Sequence, residues 1–97
     1  MARIIINNTY EAKVYMTGHS NLEILLDEPN DEFRLFYIAW LESNNRKEFA
    51  KSVVITLDDE TKMTFFGCFP TMLTDRVKVN DNLKHFKIHY DYYKNNI

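Results

Sequence analysis

The strongest pattern in this chain is an alternation of apolar and polar side chains near its C-terminal end. From position 85 to position 93, side chains of the two kinds follow one another, which is the period of a strand that buries one face. The face predicted to enter the core carries Phe86, Ile88, Tyr90 and Tyr92. The opposite face carries His85, Lys87, His89, Asp91 and Tyr93.

A second strand is predicted at residues 62–69, shortly before the first in the chain. Gly67 lies on its apolar face without a side chain, which indicates a bulge or the close approach of another backbone. Pro70 ends the strand, because proline has no N–H to donate to a ladder. The apolar face of this strand carries Met63, Phe65 and Phe69.

Shorter runs predict further strands in the rest of the chain. Asn7 and Asn8 form a plausible turn, so the first runs are expected to build a meander. Residues 58–61 supply the turn of a hairpin that leads into the strand at 62–69. Residues 71–82 are predicted to be irregular, with a short strand at 77–79. The other predicted strands are residues 2–6, 9–16, 21–26 and 52–57.

One helix is predicted, at about residues 31–45. Asn30 and Asp31 supply N-cap chemistry, since their short side chains can accept from the first unpaired N–H groups. Asp31 and Glu32 also place negative charge at the positive end of the helix dipole. The apolar stripe has helical spacing and predicts a helix laid over a core; it comprises Phe33, Phe36, Tyr37, Trp40 and Leu41.

Strands, one helix and then more strands predict an α+β fold that is mostly β. We expect a small β-sandwich or barrel with this one flanking helix. The 97 residues fit a single domain spanning 1–97. The chain is 45% hydrophobic and 14% aromatic, a composition typical of a folded protein and one that favours strands.

Charge and cysteine content narrow the classes of function. The net charge of −2 gives no general attraction for nucleic acid, so sequence-specific DNA binding is not expected. A single cysteine permits neither an intrachain disulfide nor a thiolate metal cage. No apolar run approaches the ~20 residues that a membrane span needs, and no export signal is visible. The sequence therefore predicts a soluble protein without a membrane partner.

The candidate reactive groups predict no catalytic residue, no metal ion and no cofactor. His85 and His89 share a strand face but lie roughly 13 Å apart along it, too far for one ion unless the strand is bulged. Cys68 is flanked by apolar residues, which favours a small buried hydrophobe over a nucleophile. Acidic residues cluster in predicted turns, where carboxylates are solvated, and two glycines do not make a phosphate loop.

The remaining unusual feature is the outer face of the C-terminal strand. Lysines interleave with aromatic residues along this segment, which would suit a stacking platform for single-stranded nucleic acid, but most of the aromatics lie on the face opposite Lys87, so core packing is the favoured explanation. We expect this long strand to end at an unpaired sheet edge, and such an edge is either protected or paired by another chain. We therefore predict that copies of this protein associate through His85, Lys87, His89, Asp91 and Tyr93.

Residues 33–93 resemble the tail tube proteins of contractile-tailed bacteriophages. The resemblance begins with the aromatic helix and continues through the segments VVITLDD, KMTFFGCFPTMLT and HFKIHYDYY. In that family a strand leads into Gly-x-x-Pro-x-x-Leu, then a gap, then an alternating strand that ends in aromatic residues. The positions that match this signature are Gly67, Phe69, Pro70, Leu73, Phe86, Ile88, Tyr90 and Tyr92.

The resemblance implies a β-sandwich or barrel flanked by a helix, in subunits that form hexameric rings. Such rings stack into the hollow channel for DNA, and sheets pair across subunits. The chain is shorter than usual for this family, which generally has a longer N-terminal region and an extended hairpin that contacts the next ring. A baseplate or tail-completion component therefore fits as well as a minimal tube subunit.

The function that we expect is that of a structural virion protein of the tube type, and not of an enzyme. Its partners would be further copies of itself and other phage tail proteins, and it would contact DNA only non-specifically. It would be located in the virion tail, and in the host cytoplasm during assembly. The alternative is a small phage or bacterial binding module that docks on a host protein and inhibits it.

Overall fold

The computed structural model describes residues 2–5, 9–45, 52–56 and 60–96. Strands and two helices follow one another in an order close to the predicted one. The elements are β1 (Ala2–Ile5), β2 (Thr9–Thr17), β3 (Asn21–Leu26), α1 (Asp31–Glu42), β4 (Ser52–Thr56), β5 (Lys62–Phe66), β6 (Phe69–Pro70), α2 (Thr74–Lys78), β7 (His85–His89) and β8 (Tyr92–Asn96).

In the described residues, all eight strands belong to one antiparallel open sheet. Their order is β6-β7-β3-β2-β1-β4-β5-β8. The main helix α1 and the short helix α2 complete the fold, so the predicted class, α+β and mostly β, is confirmed. Within that class the strands form one sheet, and not the two packed sheets of a sandwich.

The sheet curls because two long strand segments, residues 62–70 and 85–96, are each interrupted by two residues, and the two interruptions lie opposite each other. β6 follows β5 after two residues, and β8 follows β7 after two residues. β5 pairs with β8, with Phe66 opposite Tyr92, and β6 pairs with β7 in the same register, with Phe69 opposite His89. The two outermost strands in the sheet order therefore continue strands from the other end of it, which gives the sheet a barrel-like curvature.

The helix α1 lies against the inner face of this curved sheet. Asn30 caps its first turn, because the Asn30 Oδ1 atom accepts from the Phe33 N–H at 3.0 Å. Phe33 packs edge-on against Phe86 of β7, with ring centroids 4.7 Å apart. Four of the five predicted stripe residues are buried and Phe36 is partly buried; the buried helix residues are Phe33, Tyr37, Ile38, Trp40 and Leu41.

The close approach predicted at Gly67 is made by a side chain. The backbone there has φ +67°, and a Cβ atom on Gly67 would lie 2.2 Å from Oδ2 of Asp91. The Asp91 N–H donates to the Phe66 carbonyl at 2.8 Å. The position therefore requires a residue without a side chain. The interruption also changes which residues face inwards, both from β5 to β6 and from β7 to β8.

That shift corrects one predicted face. Phe86, Ile88 and Tyr90 are buried as expected, but Tyr92 is 55% exposed. Tyr92 comes after the interruption at Asp91, so it no longer continues the inward face of β7. Its ring stacks on Phe66 of the neighbouring strand, with centroids 4.9 Å apart.

The short strand predicted at residues 77–79 is wrong, because the helix α2 occupies this region. Tertiary contacts hold the helix: the Arg34 Nη1 atom donates to the Val77 and Lys78 carbonyls at 3.4 Å each. The Lys78 Nζ atom lies 3.0 Å from Glu42 on α1. The helix α1 itself ends at Glu42, three residues before its predicted end. The turns predicted at positions 7–8 and 58–59 lie outside the described residues.

Candidate functional site

A buried tyrosine hydroxyl interrupts the pairing between β6 and β7. Tyr37 of α1 is fully buried, and its hydroxyl donates to the Lys87 carbonyl. The same oxygen accepts from the Thr71 N–H at 3.3 Å and from the Met72 N–H at 3.4 Å. Continuing the register beyond Pro70 would place Thr71 opposite Lys87. The hydroxyl therefore stands between two backbone groups that would otherwise meet, and the ladder ends at Pro70.

The predicted edge position of the C-terminal strand is wrong for β7. This strand lies between β3 and β6, and His89 has a partner on each side, Asn21 on β3 and Phe69 on β6. The sequence pattern identified the strand but not its neighbours, because pairing between distant segments is set by tertiary packing. At residues 85–87 the described part of the chain contributes a strand on the β3 side only.

Three of the predicted interface residues lie together on the outer face of β7. Lys87 is exposed between the two histidines. The His85 Nε2 atom lies 2.8 Å from Glu23 Oε1 on the adjacent strand β3. The His89 ring packs on Phe69, with centroids 4.7 Å apart. That these residues contact a second copy stays a prediction.

The other two predicted interface residues are placed differently. Asp91 folds its side chain over Gly67 at the interruption of the strands. Tyr93 lies beyond the interruption and packs towards the core, against Phe65 at 5.6 Å and Tyr90 at 6.1 Å between centroids. The structure therefore brings His85, Lys87 and His89 together and separates Tyr93 from them.

One strand edge lies further along, at β8. Within the described part of the chain, Tyr92–Asn96 pairs with β5 and with no other strand. Tyr92 and Tyr93 remain partly exposed on this strand. Such an edge presents a row of backbone donors and acceptors to a further strand.

A second one-sided segment, which the sequence pattern did not reveal, is the distal half of β2. The strand β1 pairs with β2 only from Thr9 to Ala12. Residues 13–17 pair with β3 on one side, and no described strand lies on the other. Tyr15 is 51% exposed and Met16 47% exposed in this segment. The difference in length between the two predicted strands was the only signal of it.

The candidate nucleophile is buried, as the sequence indicated. The Cys68 thiol is enclosed by the core and donates to the Phe65 carbonyl at 3.5 Å. Burial, assisted by the charge of Asp91, raises the pKa of Cys68 to about 12. The thiol is therefore protonated at neutral pH and is a poor nucleophile there.

The other side chains whose pKa is raised are tyrosines at the edge of the core. Burial raises the pKa of Tyr10 to about 12. The charge of Glu32, and the hydrogen bond that the Tyr10 hydroxyl donates to the Glu32 Oε1 atom at 3.2 Å, also raise it. Burial also raises the pKa of Tyr90. Among the residues that the structure describes, no three histidine, cysteine or acidic side chains are grouped so that they could hold a metal ion.

Comparison with known proteins adds no relative to this description. Neither the family models, nor the curated proteins, nor the solved structures give a significant match to the chain. In the described ranges, none of the helices has both the length and the apolar character needed to cross a bilayer.

Proposed function

We propose that this protein is a structural subunit of a bacteriophage tail, of the tube type, which assembles into rings that form or extend the DNA channel. Two lines of argument support the proposal. The resemblance over residues 33–93 implies a β-sandwich or barrel flanked by a helix, and the fold is one antiparallel sheet with a main helix and a short second helix. The surface also offers what self-association through strands requires.

The observation that carries the proposal is that, among the residues that the structure describes, two different strand segments each pair on one side only. One is β8, Tyr92–Asn96, and the other is residues 13–17 of β2. Each is five residues long, so one copy can pair its β8 with the β2 segment of the next copy over their full length. A contact between two different surfaces is heterologous, and it generates a ring if the rotation closes.

Exposed aromatic and apolar side chains flank both segments and favour the same contact. Tyr92 and Tyr93 lie on β8, and Tyr15 and Met16 lie on β2, all partly exposed in the single chain. Cross-strand pairs of aromatic residues contribute roughly 0.2–1 kcal/mol each. Continuing the sheet across the contact would bury these side chains and satisfy both edges together.

The chemistry of the chain suits a passive channel. Its net charge is −2, so a ring would not attract the phosphate backbone strongly. DNA would then pass without sequence-specific contacts. In this proposal the protein acts in the virion tail, after assembly in the host cytoplasm with other copies and tail proteins.

The test is the oligomeric state of the purified protein at high concentration. We expect light scattering and electron microscopy to show a closed ring, and mass spectrometry of phage particles to detect the chain. The Tyr15→Glu variant should reduce or abolish the ring, because it places a charge in every copy of the contact. Leu35→Glu is the matched control: Leu35 is 58% exposed on the outer side of α1 and belongs to neither edge.

Two outcomes would contradict the proposal. A protein that remains monomeric at high concentration and is absent from virions would exclude the tail role. A ring that survives Tyr15→Glu and dissociates with Leu35→Glu would show that assembly uses another surface. Circular dichroism of both variants separates loss of assembly from loss of folding.

A further inference from the structure

We propose that neighbouring copies join β8 of one to residues 13–17 of the next as antiparallel strands, in the register that places Tyr93 opposite Met16. The inference rests on the strand contact proposed above and specifies its direction and its register. Both follow from two properties of each segment: which residues direct their backbone groups outwards, and which residues face the core.

In the distal half of β2, the outward-directed backbone groups belong to Val14 and Met16. The Leu26 N–H donates to the Lys84 carbonyl at 2.8 Å, so the even-numbered residues of β3 bond towards β7. In an antiparallel ladder the residues that bond to one neighbour alternate with those that bond to the other. The odd-numbered residues of β3 therefore bond to β2, where positions 13, 15 and 17 lie opposite them. The N–H and C=O groups of Val14 and Met16 are thus directed away from β3.

In β8 the corresponding groups belong to Tyr93 and Asn95. The Phe66 carbonyl accepts from the Asp91 N–H at 2.8 Å, so the backbone of Phe66 is directed towards the C-terminal segment. Phe66 lies opposite Tyr92 in the ladder between β5 and β8. The even-numbered residues of β8 therefore bond to β5, and the N–H and C=O groups of Tyr93 and Asn95 point away from it.

At both edges these residues lie on the core face of the sheet. Val14 is partly buried against the core, and Met16 follows it on the same face of β2. Tyr93 packs against the buried residues Phe65 and Tyr90. The residues whose backbone groups can bond across the contact are therefore the inward-facing ones on both strands.

The match between the two edges determines the direction of the added strand. In an antiparallel pair, two residues whose backbone groups face each other lie directly opposite, and their side chains share a face of the sheet. In a parallel pair, a residue that bonds across lies opposite one that does not, so the core face of one copy would continue as the outer face of the next. Only the antiparallel arrangement continues the sheet with its two faces matched.

The length of the segments then selects one register. A shift by one residue would exchange the faces, so the alternatives are shifts by two. With Tyr93 opposite Met16, Asn95 lies opposite Val14, and both pairs can exchange their hydrogen bonds. Moving β8 by two residues towards the β2–β3 turn places Tyr93 opposite Gly18, which lies beyond the end of β2 at Thr17. That register keeps only one bonded pair.

The shift in the other direction is opposed by charge and by an existing pair. It places Tyr93 opposite Val14 and brings Lys94 opposite Lys13. Like charges directly opposite each other destabilise a strand pair. It also places Asn95 opposite Ala12, which already pairs with β1.

The side chains are complementary in the proposed register. On the core face, Tyr93 lies beside Met16, and a thioether packs favourably on an aromatic ring. On the outer face, Lys94 lies opposite Tyr15, where its ammonium group can approach the phenol ring. Tyr15→Glu still weakens this contact: it removes the phenol and places a carboxylate opposite Glu23 of β3, and an exposed ion pair with Lys94 contributes little.

Disulfide cross-linking of the assembled protein distinguishes the two directions. In the antiparallel register Thr17 lies opposite Tyr92 with Cα atoms about 4.5 Å apart, within reach of a disulfide, and Lys13 lies roughly 13 Å further along. In a centred parallel pair Lys13 would lie opposite Tyr92 instead. Oxidation of the Thr17→Cys, Tyr92→Cys double variant should give a ladder of covalent multimers in denaturing electrophoresis. The matched control, Lys13→Cys with Tyr92→Cys, should remain monomeric there; the buried native Cys68 is present in both.

Charge substitutions test the register without new cysteines. Tyr15→Lys places a lysine opposite Glu23 within the chain but opposite Lys94 of the next copy, and it should weaken each contact about two- to fivefold. Adding Lys94→Glu should restore assembly. Adding Lys84→Glu, the same charge change outside both segments, should not restore it.

Light scattering of the unmodified protein separates this inference from the proposed function. A monomer would exclude the ring and the contact together. If the ring forms but the control variant cross-links, or neither double variant does, the ring stands and the antiparallel register is overturned. The same conclusion follows if Lys84→Glu restores assembly as well as Lys94→Glu. Circular dichroism checks that the cysteine variants are folded, and the charge series decides the register if they are not.

Discussion

Gly67 and Asp91 show how one residue position limits the choice of side chain in this fold. The φ of +67° at Gly67 lies in the left-handed region, and the Asp91 carboxylate occupies the space that a Cβ atom would need. Gly18 also has a positive φ, of +54°, but a Cβ atom there would lie 3.7 Å from its nearest neighbour, Asn21 Nδ2. The two glycines therefore differ in crowding and share the backbone requirement.

This difference predicts unequal costs for the same substitution. Gly18→Ala should lower the free energy of unfolding by about 1–2 kcal/mol, the cost of the left-handed conformation alone. Gly67→Ala should lower it by more than this, because the new methyl group also displaces Asp91. Urea unfolding of both variants measures the difference. Equal losses at the two sites would show that Asp91 gives way without cost.

The buried thiol gives a second prediction at the residue scale, about alkaline pH. The pKa of Cys68 is about 12 in the folded chain and 9.0 for an ordinary thiol, so the folded state holds its proton more tightly. The stability from this group is fully present below pH 9 and is lost as the pH rises towards 12. Cys68→Ala should make the stability less dependent on pH over this range in urea unfolding. An unchanged slope would contradict the burial effect.

At the scale of elements, contacts between distant segments define the end of β6 and the position of α2. The Tyr37 hydroxyl stops the β6–β7 ladder after Pro70. Arg34, whose side chain is 13% exposed, reaches from α1 to the last carbonyls of α2 and lies 3.4 Å from Asp81. Two side chains of one helix thereby define the end of β6 and the position of α2.

The Tyr37→Phe substitution tests this account. It would leave the Lys87 carbonyl and the Thr71 and Met72 N–H groups without their shared partner, at a cost of about 1–3 kcal/mol. Urea unfolding should show this loss, and hydrogen exchange at Thr71 and Met72 should accelerate. Tyr15→Phe removes a hydroxyl from an exposed tyrosine and should change stability by less than about 0.5 kcal/mol. Equal stability of the two variants would contradict the role of the hydroxyl.

At the scale of the whole molecule, the curvature of the sheet decides which strands have one neighbour. Because β6 continues β5 and β8 continues β7, the first and last strands of the order lie close to each other. As a result, β7 has β3 on one side and β6 on the other. Within the described residues, β8 pairs with β5 only, the distal half of β2 extends beyond the shorter strand β1, and residues 85–87 extend beyond β6.

Hydrogen exchange of the assembled protein provides a test at this scale. If rings form through these edges, amides in residues 13–17 and in β8 should exchange more slowly in the ring than in the monomeric Tyr15→Glu variant. Amides of β7 should change little, because β7 is not part of either proposed contact and already pairs with β3 along its length and with β6 at Ile88 and His89. Protection that appears at β7 alone would place the contact on its outer face instead.

The sequence by itself determined most of the elements and the class of fold. The alternation in residues 9–16, 21–26 and 85–90 and the helical stripe of α1 correspond to the observed strands and helix, because periodicity reports which faces are buried. The N-cap at Asn30 and the special position of Gly67 were also readable, since both follow from local backbone chemistry.

Only the tertiary structure decided how those elements meet. Residues 77–79 proved helical because contacts from α1 hold α2, and Tyr92 and Tyr93 left their predicted faces because Asp91 packs over Gly67. The strand expected at the edge lies inside the sheet, whose outermost strands are β6 and β8. Within the described residues, the distal half of β2 also pairs on one side only. Strand neighbours depend on pairing between segments far apart in the chain, and the period of one segment carries no information about its partner.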